Sequence, residues 1–204
     1  EDRPFRSWSD KDVEKMLTDS PWADEVAVPL PPRLPSPGRG GGGGFTAAAG
    51  GRGGGRGDRM RFSDQRRARM AVSWRSALPV KQALLREQIG EGAELSAENE
   101  EYLERDTGFY VIGVLGVPPQ FARISTDEVR LESFLEAKDK SPILADDVLF
   151  QRVEDGLLLL VAFPKIDPLT LEDQEVEFIT KLEDFSIKKK FKLREMVMQG
   201  DLEL

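Results

Sequence analysis

A glycine-rich tract from Gly38 to Gly57 limits the folding of this chain more than any other feature. It holds twelve of the 19 glycines in the 204-residue sequence. This composition favours a disordered linker, because it offers little apolar surface to bury. Two alternatives stay open. Segments of arginine and glycine also bind RNA by charge and stacking, and glycine permits close backbone packing at a subunit contact.

The tract divides the chain into three predicted parts. Residues 1–28 are predicted to form an N-terminal docking arm with a helix and a short strand. Residues 29–59 form a linker that is rich first in proline and then in glycine and arginine, and the prolines keep its first half extended. Residues 60–204 form the body, which with about 145 residues is long enough to bury a core.

The docking arm contains a short amphipathic helix. Ser9 is placed to cap it, and Asp12 supplies an acid at the third helical position. Val13, Met16 and Leu17 then follow at helical spacing. A helix this short is marginal in isolation, so the arm must dock on its own body or on a neighbour. The predicted interaction residues are Trp8, Val13, Met16, Leu17, Trp22, Phe45, Arg52, Arg56 and Arg59.

The chain reads as an α+β fold with a mainly antiparallel, sandwich-like sheet, two or three short helices and the N-terminal arm. The turn signal Glu154-Asp155-Gly156 predicts a hairpin within 147–163, and alternating apolar residues predict a second hairpin within 176–193. The continuous apolar run Phe109–Leu115 predicts a central strand, and Glu128–Leu135 predicts a half-buried strand or an edge strand. Helices are predicted to begin near Ser76 and at Ala97. Lys189 falls on the apolar face of its strand, which indicates a bulge or a rim position.

The charges are unevenly distributed along the chain. The net charge is −8, but the stretch from Arg39 to Arg86 has 11 basic residues and two acidic residues, a net charge of +9. The rest of the chain therefore carries −17, and it is most acidic between Glu91 and Asp106. Oppositely charged segments of this kind tend to pair, within one molecule or between neighbouring molecules.

The chain contains neither cysteine nor histidine. Disulfides, zinc–thiolate sites and catalytic triads with histidine are therefore excluded within this chain. The acid pairs Asp10/Asp12 and Asp146/Asp147 do not have the spacing of an EF-hand calcium site. The sequence thus predicts no catalytic, cofactor-binding or metal-binding residue, no cofactor and no enzyme, and it has no apolar run of the length of a membrane span.

Three blocks of sequence resemble a family of exported proteins of Gram-negative bacteria that has no assigned activity. The first runs from Trp8 to Ala23, the second from Trp74 to Ala83, and the third from Phe191 to Leu204. The resemblance implies export to the periplasm, the outer membrane or the exterior. On this basis the beginning of the chain at Glu1 reads as a mature N-terminus after signal cleavage.

These observations predict a non-enzymatic exported protein of the cell envelope or exterior. It would act as a structural or protein-interaction module whose partner is itself or another such protein, and it would self-assemble through the arm and the glycine–arginine tract. The alternative is a binding module for an anionic ligand, nucleic acid or anionic lipid, through the tract and the lysines Lys188–Lys190. Nucleic acid is the less expected of these ligands, an anionic membrane surface is a weak candidate, and a carboxylate-based hydrolase is less favoured still.

Overall fold

The computed structural model describes residues 3–29, 67–154 and 156–204. The predicted linker contacts Phe45, Arg52, Arg56 and Arg59 lie outside these residues, as does most of the glycine–arginine linker. The described helices are α1 (Asp10–Thr18), α2 (Leu78–Ile89), α3 (Ala97–Glu104) and α4 (Thr126–Leu131). Short 3-10 helices cover Phe5–Ser7, Pro119–Arg123, Leu171–Asp173 and Leu193–Glu195.

The twelve described strands form three antiparallel sheets. Their bounds are β1 (Asp19–Ser20), β2 (Ala23–Pro29), β3 (Arg67–Trp74), β4 (Phe109–Val117), β5 (Phe134–Ala137), β6 (Ile143–Leu144), β7 (Asp147–Val153), β8 (Gly156–Pro164), β9 (Glu175–Leu182), β10 (Phe185–Lys192), β11 (Val197–Met198) and β12 (Asp201–Leu202). The strand order is β1-β2-β3-β4-β8-β7 in the large sheet and β10-β9-β5-β6 in the second sheet, while β11 pairs with β12.

The core lies between the large sheet and the second sheet. Trp74 on β3 packs edge-to-face against Phe191 on β10, with ring centroids 5.3 Å apart. Phe163 on β8 meets Phe178 on β9 in the same way at 6.1 Å. Because side chains alternate along a strand, each sheet directs one apolar row into this layer. The predicted α+β fold with a sandwich-like, mainly antiparallel sheet is therefore confirmed.

The predicted arm contributes strands β1 and β2 to the large sheet of the body. Strand β2 pairs with β3 over its whole length, from Ala23↔Ser73 to Pro29↔Arg67. Helix α1 begins with the predicted capping box: Asp12 N donates to Ser9 Oγ at 3.3 Å, and Ser9 N donates to Asp12 Oδ2 at 3.0 Å. The helix then packs against α2. Docking of this segment is thus intramolecular in the described chain.

The structure differs from the prediction at residues 128–135, and it decides between the two positions predicted for Lys189. The predicted strand Glu128–Leu135 is wrong in its first half, where α4 ends at Leu131 and β5 begins at Phe134. Asp127 and Glu128 lie in the first turn of α4, where acids favour a helix N-terminus. Lys189 lies at the rim and not in a bulge, because its pairing with Phe178 is in regular register and its ammonium group pairs with Asp24 of β2.

The acidic group of Asp173 contributes pH-dependent stability. Thr170 N donates to its Oδ2 at 2.7 Å, and Lys140 Nζ lies 3.2 Å from the same oxygen. Burial raises the pKa of Asp173, but the hydrogen bond from Thr170 and the charge of Lys140 together outweigh burial, so the pKa lies below the ordinary 3.8. A carboxyl group whose folded pKa is lowered stabilises the fold above its unfolded pKa, and this contribution is lost as the pH falls through the folded pKa.

We expect Asp173→Asn to lower the free energy of unfolding by about 1 kcal/mol at neutral pH, since a charge-assisted hydrogen bond is replaced by a neutral one. The difference between wild type and variant should shrink once the pH falls below the ordinary carboxyl pKa of 3.8. Urea denaturation at a series of pH values measures this. A difference that stays constant down to strongly acidic pH would contradict the assignment.

Candidate functional site

The predicted interaction residues of the arm are buried or half-buried within the fold. Val13 and Trp22 are buried, and Trp22 Nε1 donates to Glu203 O at 2.7 Å. Trp8, Met16 and Leu17 are half-buried. Trp8 and Met16 also line a shallow cleft of about 320 Å³ on the outside of α1. The structure therefore brings these five residues together on one segment, with only part of their surface accessible.

A larger groove, of about 670 Å³, lies against the other face of the large sheet. Leu157 and Leu159 of β8 point into the core, so their neighbours Leu158 and Leu160 point away from it and form part of the groove floor. The rest of the floor comes from Phe109 and Val111 on β4, and the walls include Leu84, Tyr102 and Leu103 from α2 and α3. The lining of this groove is mixed, because apolar residues form its floor and part of its walls while polar and charged side chains complete it.

Arg75 extends its side chain into this groove. Its backbone N donates to Val111 O at 2.7 Å, which fixes it at the end of β3. Its side chain crosses Gly113 of β4 so closely that a Cβ on Gly113 would lie 2.7 Å from Arg75 Nε. A glycine inside a strand permits this kind of close approach. Gly113 thus provides the space in which the arginine lies flat on the sheet.

The guanidinium of Arg75 has no partner among the residues that the structure describes. Its Nε is buried and lacks a hydrogen bond, and none of the described ion pairs includes Arg75. Burial lowers the pKa of Arg75, while Tyr102 and Glu87 act in the opposite direction. The group stays cationic at neutral pH, because arginine does not lose its proton in proteins.

The other cations of the groove are engaged. Lys165 pairs with Asp106 at 3.1 Å, and Arg105 pairs with Glu101 at 2.8 Å. Lys81 Nζ donates to the carbonyl oxygen of Arg105 at 2.7 Å. The acid Glu203 is engaged as well, since its Oε1 accepts from Leu78 N at the start of α2, and Glu104 lies exposed on the rim. Among the described residues that line the groove, Arg75 is therefore the cation with neither an ion pair nor a side-chain hydrogen bond.

This arrangement places a fixed positive charge above an apolar floor, which suits an organic anion. Across residues 3–29, 67–154 and 156–204, no group of three or more acids is placed to hold a metal ion. Over the same ranges, no helix has the length and apolar character needed to cross a membrane.

The sequence analysis did not select Arg75, which it includes only within the block from Trp74 to Ala83 that resembles exported proteins. Two signals point to it in retrospect. Arg75 stands between an apolar strand and an apolar helix, where a charge needs a specific place. Gly113 interrupts the apolar run Phe109–Leu115, and an isolated glycine in a strand marks a close approach. Neither signal shows that the two residues meet.

None of the protein-family models compared with the chain matches it, and comparisons with curated proteins and with solved structures gave no match either. The resemblance of residues 8–23 to exported proteins therefore stays a prediction.

Proposed function

We propose that this protein is a non-enzymatic binding module that takes an organic anion in the groove at Arg75. The observation that carries the proposal is the guanidinium that crosses Gly113 without a hydrogen-bonding or ionic partner in the described chain. A partly buried charge without a partner costs free energy, and a carboxylate or phosphate that pairs with it recovers this cost. The planar guanidinium also matches the two oxygens of such a group.

The sequence also suggested that the lysines of β10 bind an anionic ligand. The contacts there favour the groove instead. Lys190 pairs with Glu175 at 3.2 Å and Lys192 with Glu195 at 2.9 Å, and Lys189 pairs with Asp24. Two of the three predicted lysines, Lys189 and Lys190, are thus paired with acids of the same chain, while Lys188 is exposed and occurs in none of the ion pairs of the described residues. Exposed strand lysines also protect a sheet edge from aggregation.

We expect Arg75→Gln to weaken the binding of hexanoate by at least tenfold, because a hydrogen bond to a charged group contributes about 1.5–3 kcal/mol. Isothermal titration calorimetry measures the dissociation constant. Arg105→Gln is the matched control, since Arg105 lines the same groove but already pairs with Glu101, and it should bind like wild type. Glu87→Gln should bind more tightly, because it removes the carboxylate that acts on Arg75.

Two results would contradict this proposal. One is wild-type protein that binds neither carboxylates nor phosphates at any concentration tested. The other is an equal loss of binding in the Arg75 and Arg105 variants, which would point to general surface charge. Thermal unfolding of each variant confirms that the fold is retained.

A second proposal is that the N-terminal segment mediates protein–protein contacts of an exported protein, including self-assembly. Support comes from the resemblance of residues 8–23 to exported proteins and from the cleft beside Trp8 and Met16, which the fold leaves open. Size-exclusion chromatography with light scattering tests self-assembly, and a monomer at all concentrations contradicts it. Cell fractionation tests export, and recovery with the cytoplasm contradicts it.

A further inference from the structure

A single apolar row leads from Arg75 to the edge of the large sheet. Gly113 of β4, beneath the arginine, pairs with Leu160 of β8, and Leu160 pairs with Leu149 of β7. Residues that pair across strands point to the same face of a sheet. Neighbouring strands lie about 4.8 Å apart, so the row from Gly113 to Leu149 is roughly 10 Å long. Leu149 at its end is 55% exposed.

The rows on either side of it end in polar residues. Val111 pairs with Ala162 and then with Asp147, while Leu115 pairs with Leu158 and then with Gln151. Asp147 and Gln151 are both exposed on β7, which is the last strand of the large sheet. The apolar path that begins beneath Arg75 is therefore about one side chain wide where it reaches the edge.

We infer, on the basis of the function proposed above, that the ligand is a single-chain anionic amphiphile. Its carboxylate or phosphate pairs with Arg75, and its alkyl chain lies over Leu160 and Leu149. The charge of Arg75 selects the head group. The narrow path between Asp147 and Gln151 accepts one chain and disfavours a second, because a second chain would desolvate these polar side chains.

The length of the path sets how affinity depends on chain length. Burial of one methylene group tightens binding by up to about fourfold. Affinity should therefore rise with each added carbon while the chain advances toward Leu149. It should stop rising once the chain passes this residue, since β7 is the last strand of the large sheet described.

Titration calorimetry with alkyl carboxylates from butyrate to dodecanoate, kept below their micelle concentrations, tests this inference on the full-length protein. Wild type should show a rise and then a plateau. Leu149→Gln should leave butyrate binding unchanged and remove the last part of the rise, a loss of about tenfold for the longest chains. The matched control is Leu144→Gln, because Leu144 is 65% exposed on β6 of the second sheet. It should behave like wild type.

The outcomes separate the inference from the function on which it rests. Binding of butyrate that depends on Arg75 but shows no gain with chain length overturns the amphiphile and leaves anion binding intact. Equal behaviour of the Leu149 and Leu144 variants overturns the placement of the chain. Competition by vesicles of a two-chain anionic lipid as strong as that by dodecanoate overturns the single chain. Failure of every anion to bind refutes the proposed function itself. Alkyl phosphates of the same lengths then identify the head group that Arg75 prefers.

Discussion

Leu159→Ala should lower the free energy of unfolding by about 2–5 kcal/mol, the range for removal of a fully buried leucine side chain. Leu159 lies on β8, at the centre of the layer between the large sheet and the second sheet, and its side chain is fully buried. The aromatic pairs Trp74–Phe191 and Phe163–Phe178 join the two sheets in this layer. Because rings held edge to face cannot move easily, they would not fill the cavity that Leu159→Ala leaves. We therefore expect a loss of unfolding free energy in the upper half of this range.

Leu144→Ala is the matched control for this prediction. It deletes the same atoms from a residue that is 65% exposed, and surface substitutions usually change stability by less than about 0.5 kcal/mol. Urea denaturation followed by tryptophan fluorescence measures both variants. Similar midpoints for the two would mean that β8 does not face the second sheet, which would refute the sandwich packing.

Arg86→Ala should lower the free energy of unfolding by about 1.5–3 kcal/mol, the contribution of hydrogen bonds to a charged group. Arg86 on α2 is only 3% exposed, and its Nε donates to Trp8 O at 2.8 Å. Its Nη2 lies 3.2 Å from Asp10 and 3.4 Å from Glu91. The side chain therefore ties the start of α1 to α2, and its loss leaves the carbonyl oxygen of Trp8 without this partner.

Although Arg86 and Asp10 form an ion pair, substitution of Asp10 should lower the stability much less than substitution of Arg86. Asp10 is 97% exposed, so Asp10→Asn should change stability by less than about 0.5 kcal/mol. Limited trypsin digestion gives a second measurement, because α1 should become accessible at Lys11 and Lys15 in the Arg86 variant. An Arg86 variant as stable and as resistant as the Asp10 variant would show that the N-terminal segment is held by apolar contacts alone.

The predictions from sequence succeeded where the signal is local and periodic. The hairpin β7–β8 follows from a turn signal between two strand-like stretches, and the hairpin β9–β10 follows from alternating apolar residues. The capping box at Ser9 and Asp12 follows from spacing along four residues. The region 128–135 failed because Val129 and Leu131 fit both a strand and a short helix. The helix is favoured because two acids lie in its first turn and because Val129 is buried in the core.

The candidate site depended on contacts that no local pattern contains. Arg75 and Gly113 are 38 positions apart in the sequence, and the row of Gly113, Leu160 and Leu149 exists only because β4, β8 and β7 pair in one register. A shift of one residue in either pairing would move this row to the opposite face of the sheet. The register is decided by the packing of the whole core, which sequence periodicity does not report.

The sequence by itself thus determined the fold class, the positions of most helices and strands, and the separation of charges along the chain, because these follow from residue type and spacing. It also excluded histidine and cysteine chemistry. Only the tertiary structure decided that residues 23–29 form a strand of the large sheet and that Arg75 lies over Gly113 without a partner among the described residues. Both facts arise from pairing between distant strands, where backbone register and burial outweigh the preferences of any single segment.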